Sequence, residues 1–138
     1  MAIKLGKNPK NFTRDIPLVT MDGVADVLVI TYKYRSRLEF AELLDERVAA
    51  ENMLNAQEAA QAAAIADGAA PVQKSAAEGF TKASKEAAES VLEIATGWDI
   101  DDPFTVDKLM ELESDFPGAL MDIQNMYQAA LLEVRRKN

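Results

Sequence analysis

The period of the apolar residues changes at Ser36, and that change constrains the fold more than any other feature. Before it, Leu28, Ile30, Tyr32 and Tyr34 alternate with Val29, Thr31, Lys33 and Arg35. That is the two-residue period of a strand buried on one face. After it, Phe40, Leu43, Leu44 and Val48 recur at helical spacing. Ser36 suits an N-cap, and Glu39 three residues on completes a capping box. Upstream, Ile16 to Met21 and Val24 to Arg35 flank Asp22-Gly23. That pair favours a type I′ hairpin turn, because glycine accepts positive φ at little cost.

The expected fold class is therefore α+β: an N-terminal antiparallel β-hairpin followed by a mostly α-helical remainder. Residues 1–15 contain Gly6, Pro9 and scattered cations without a period, and read as a flexible arm. Residues 16–138 read as a single domain, with the hairpin over 16–35. Ala-rich helices follow over 36–96, with a break near 67–74 at Asp67-Gly68-Ala69-Ala70-Pro71. The second helix resumes near Ser75, with Phe80, Ala83, Ala87, Val91, Ile94 and Trp98 on one side and Gly97 at its C-terminus. The two helices can pair as an antiparallel hairpin. A C-terminal helical module spans 97–138. There Thr105 caps one helix, and Pro117 opens the last, whose stripe includes Phe116, Leu120, Ile123, Met126 and Tyr127.

Composition narrows the function. The 138 residues carry a net charge of −8, which repels phosphates and argues against nucleic-acid and anionic-membrane partners. Cysteine and histidine are both absent. Thiolate metal sites, cysteine nucleophiles and the commonest general base are excluded with them. The acidic run Asp99-Ile100-Asp101-Asp102 invites comparison with a calcium loop. Counted from Asp99, the sixth position is Phe104 rather than glycine, the twelfth is Met110 rather than glutamate, and Pro103 interrupts the loop. The run reads instead as the acidic approach to a helix N-terminus, where negative charge is favourable. No phosphate loop or nucleophile elbow is present, so no enzyme, cofactor or metal is expected. No apolar stretch is long enough to cross a bilayer and the N-terminus lacks a signal-peptide core, which makes the cytoplasm the expected location.

Two blocks of the chain resemble a known family. One is Val-Leu-Val-Ile-Thr-Tyr-Lys-Tyr-Arg-Ser-Arg at 27–37. The other comprises Gly97-Trp98, the acidic run, Phe104, Phe116-Pro117-Gly118-Ala119, Tyr127 and the final Arg-Arg-Lys-Asn. Their order and spacing resemble the tail assembly chaperones of long-tailed bacteriophages. The resemblance implies a protein that binds the tape measure protein, keeps it soluble, helps recruit tail tube subunits, and is absent from the mature virion. It implies action in the host cytoplasm. Two readings compete with it: a structural tail or head-tail connector protein, and an acidic regulatory module that binds a basic partner. The candidate partner surfaces are the hairpin face of Tyr32 and Tyr34, and the C-terminal helix around Phe116, Met126 and Tyr127. Self-association into a dimer or ring would cover the hairpin edges and alanine faces.

Overall fold

The computed structural model describes residues 9–66, 68 and 75–132. Strand β1 (Asn11–Val19) pairs antiparallel with β2 (Ala25–Lys33), in a register that sets Ile16 opposite Leu28 and Phe12 opposite Tyr32. The strand begins at Asn11, so residues 11–15, expected in the arm, belong to the sheet. Residues 1–8 of that arm lie outside the described residues. The connection Thr20–Val24 is longer than a two-residue turn. Thr20 O accepts from Gly23 N at 2.9 Å, and Thr20 Oγ1 accepts from Val24 N at 2.9 Å. Among the described residues of this turn only Gly23 has positive φ, 88°. A type I′ turn needs positive φ at both central residues, so the Asp-Gly expectation is corrected. The Thr20 hydroxyl donates to Asp22, and this bond holds the Asp22 carboxyl below its usual range.

Alternation along the hairpin decides what is buried. Ile16, Leu18, Leu28, Ile30 and Tyr32 point to one face and are enclosed. Of their odd-numbered neighbours, which face away, Pro17, Val19 and Val27 are exposed and Val29 and Thr31 are half-buried. The described helices pack against the inner face.

Helix α1 (Arg37–Ala66) starts on the capping box. Ser36 N donates to Glu39 Oε1 at 3.1 Å, and Glu39 N donates to Ser36 Oγ at 3.2 Å. Hydrogen bonding from Ser36, its backbone N–H first and its side chain second, holds the Glu39 carboxyl below its usual range. Phe40 and Leu43 reach the core, but Val48 is 53% exposed and every side chain from there to Ala64 lies open. The stripe continues in sequence after the core has ended. At about 1.5 Å per residue the helix is roughly 45 Å long, and its second half projects from the domain. Arg47 Nη2 donates to Ser90 O at 3.2 Å, but α1 and α2 do not pack along their lengths as a helical hairpin would.

Helix α2 (Ala76–Ile94) is capped by Ser75, whose side chain accepts from Glu78 N at 3.0 Å. Its buried face is Ser84, Ala88, Val91 and Ile94. Phe80, expected on that face, is 67% exposed, because the first turns of α2 overhang the sheet. The helix stops at Ile94 rather than at Gly97. Ala95–Trp98 forms a third strand, β3, antiparallel to β2, giving the order β1-β2-β3. Four residues are too few to show a period, and the strand exists because β2 offers it an unpaired edge.

Helix α3 (Val106–Asp115) is capped by Thr105, which accepts from Lys108 N. Helix α4 (Ala119–Leu132) starts two residues later than Pro117. Gly118 adopts φ 92°, which a side chain would resist, and this turns the chain into the last helix. The Glu113 carboxylate then accepts from Gly118 N and Leu120 N, each at 2.9 Å, and so caps α4 from the preceding helix. The expected α+β class, hairpin first and helices after, is borne out.

Candidate protein-binding surface

The site residues expected from sequence divide into two groups. Tyr32 and Tyr127 are 0% and 1% exposed. They meet in one aromatic cluster that joins the sheet to α4 and α1. The Tyr32 and Tyr127 ring centres are 5.2 Å apart, Phe12 lies 5.3 Å from Tyr32, and Phe40 meets Tyr127 edge-on at 5.7 Å. Both hydroxyls are satisfied. Tyr32 donates to Ile123 O at 2.7 Å, and Tyr127 donates to Lys33 O at 2.9 Å. Arg35 donates to the Tyr127 hydroxyl at 3.0 Å and to Glu93 O at 3.0 Å, which ties the β2–α1 connection to α4 and α2. Phe116 and Met126 are half-buried against the same core. Tyr34, one residue beyond the end of β2, is 37% exposed.

Burial raises the hydroxyl pKa of Tyr32, and also that of Tyr127, where the Arg35 hydrogen bond acts in the opposite direction. A folded-state value above the ordinary 10.0 fixes the sign. The stability contribution is whole below pH 10 and is lost as pH rises, because the unfolded chain ionises first. Urea-unfolding stability should be flat near neutrality and fall above that point, by at most about 1.4 kcal/mol per pH unit for each tyrosine. Tyr32→Phe should make the alkaline decline shallower. An unchanged slope would mean that other groups cause it.

The acidic run serves structure. Asp99 N donates to Val29 O at 3.2 Å, and Asp99 Oδ1 accepts from Val29 N at 3.0 Å, which extends the β2–β3 pairing by a side chain. Trp98 Nε1 donates to Asp102 O at 2.8 Å, and the indole meets Phe104 edge-on at 5.2 Å. Lys108 bonds Glu111 at 3.0 Å, and this contact, with Asp102 nearby at 3.9 Å, raises the lysine pKa.

The sequence reading missed a cleft of about 700 Å³ at the far end of β2, lined by Phe12, Arg14, Tyr34, Arg35, Arg37 and Leu131 among others. Arg14 lies 5.0 Å over the Phe12 ring. The three arginines come from β1, from the β2–α1 connection and from the first turn of α1, so no sequence spacing reveals their meeting. Apolar exposure gathers elsewhere: Val19, Met21, Val24 and Val27 around the hairpin tip, Met53 and Leu54 on projecting α1, and Met121 on α4. No helix among the described residues is long and apolar enough to cross a membrane.

Polar groups committed to internal bonds, together with apolar side chains left open on three elements, define a protein-binding module. The chain belongs to the phage tail assembly chaperone family, whose family model matches residues 1–138. The expected resemblance is thereby borne out. The family is a non-catalytic adaptor module in tail assembly, acting with other tail components in the host cell during infection. Searches of curated proteins and of solved structures gave no match.

Proposed function

We propose that the protein binds the tape measure protein of its phage, keeps it soluble in the host cytoplasm, helps recruit tail tube subunits, and leaves before the virion matures. The observation that carries this reading is the exposed half of α1. Val48, Met53 and Leu54 stand exposed among alanines on the part of α1 that runs past the core, in a chain of net charge −8. A helical partner with apolar stripes aggregates alone. A helix rich in small residues can approach such a stripe closely, while the acidic remainder keeps the complex in solution. The apolar hairpin tip supplies a second area. Within the two surfaces named from sequence, Tyr34, Phe116 and Met126 are the side chains that a partner reaches, and Tyr32 and Tyr127 hold them in place from behind.

Co-expression with the tape measure protein of the same genome, followed by affinity capture at low and high salt, tests the proposal. The expected result is a soluble complex that survives high salt, because an apolar interface is not screened. A tape measure protein that stays insoluble and uncaptured would overturn it. Purified particles containing the chain would favour a structural tail protein instead.

A further inference from the structure

Between the hairpin, the 99–102 loop and α3 lie two hollows of about 230 and 170 Å³. They share Ile100, Leu112 and Phe116, and so form one groove. Its floor is apolar. Leu18, Leu28 and Leu112 are buried beneath it, and Val27 and Ile100 stand 53% and 36% exposed along it. Its rim is anionic. Asp26 and Asp99 line the first hollow, and Asp102, Glu111 and Asp115 line the second. Lys108 is the one cation in the lining, and it is committed to Glu111 at 3.0 Å with Asp102 at 3.9 Å. Asp99 accepts from Val29 N, and Asp26 from its neighbour Val27 N at 2.8 Å. The Asp115 carboxylate has no hydrogen bond or ion pair among the described residues.

Asp115 is also locally misplaced. It is the last residue of α3, where the helix dipole disfavours an anion, and the last turn carries no basic residue to offset it. Local rules are broken in this way at functional sites.

We propose that the groove docks a cationic amphipathic segment of another protein, with an apolar side chain on Ile100 and Phe116 and lysines or arginines against Asp26 and Asp115. Charge decides the occupant. An apolar floor alone would accept any hydrophobic segment, whereas an anionic rim rejects acidic ones and favours cations. The net charge of −8 attracts such a partner at long range and opposes a second copy of this chain. Docking here weakens as salt rises, unlike the salt-resistant capture expected of the apolar surface of α1.

Trp98 lines the groove and is the only tryptophan of the chain, so its emission reports occupancy. The probe is a short synthetic peptide of leucines flanked by lysines, without tryptophan, titrated into the isolated chain at low and high salt. No tape measure protein is needed, so the test fails or succeeds independently of the chaperone reading. Emission should change saturably at low salt, and the affinity should fall at least about tenfold at high salt. Peptides with glutamate in place of lysine, or serine in place of leucine, should bind at least about tenfold more weakly. Asp115→Lys should weaken probe binding at least about threefold. Its urea midpoint should hold or rise, because a cation suits the end of α3. Ile100→Ser should weaken binding too, with circular dichroism unchanged. Emission indifferent to the probe would overturn the proposal. So would equal binding by all three peptides, or a response that Asp115→Lys leaves intact. An emission that changes on dilution of the chain alone would place a second copy in the groove, and would overturn it as well.

Discussion

Tyr127→Ala should cost about 3–5 kcal/mol of folding stability, read from urea unfolding of the isolated chain. The ring is 1% exposed and lies against Phe12, Tyr32 and Phe40, so truncation opens a cavity where three elements meet. The hydroxyl adds a polar contribution. It donates to Lys33 O and accepts from Arg35, so its loss leaves a carbonyl and a guanidinium short of a partner. Tyr127→Phe isolates that contribution and should cost about 1–2 kcal/mol. Partner capture separates core from contact. If Tyr127→Ala lowers stability while capture of the tape measure protein per folded molecule is unchanged, the residue supports the surface without forming it. A fall in capture with stability intact would reverse that assignment. A loss below about 1 kcal/mol would mean that the cluster does not join the sheet to α4.

Glu113→Ala should lower stability by about 2 kcal/mol, far more than removal of an ordinary half-exposed glutamate. The first N–H groups of a helix have no partner within it. In α4 the Leu120 N–H, with Gly118 N just before the helix, is satisfied from the side by both oxygens of one carboxylate. The anion also lies at the positive end of the helix dipole. Glu113→Gln keeps one acceptor oxygen and loses the charge, so it should recover part of the loss. Hydrogen exchange at Leu120 should accelerate in both variants, more in the alanine one. If Glu113→Ala were neutral, the turn at Gly118 would be fixed by packing of Phe116 and Leu120 alone.

Sequence and tertiary structure divided the work along the range of the forces involved. Ser36 with Glu39, Ser75, and Thr105 cap helices within three residues of themselves, so these starts were legible in the chain. The alternation from Leu28 to Tyr32 likewise determined which face of the hairpin is buried, because successive side chains must point apart. Within the module expected over 97–138, α3 and α4 were legible for the same local reasons, whereas Gly97 and Trp98 belong to β3 and residues 133–138 lie outside the described residues. Candidate partner residues were less legible, since an aromatic stripe looks the same whether it meets a core or a partner.

Tertiary structure alone decided where the core stops. Phe80 and Val48 follow helical periods faithfully and still lie open, because α2 and α1 run past the edge of a three-stranded sheet. It also made β3 from four residues without a pattern, by presenting the edge of β2 to Ala95–Trp98. It brought Arg14, Arg35 and Arg37 around one cleft and locked Arg35 onto residues 58 and 92 positions away. Capping, alternation and φ preference act within a turn or a strand and are written in the neighbouring residues. Edge pairing, core limits and convergent charge depend on which distant surfaces remain after the chain has packed.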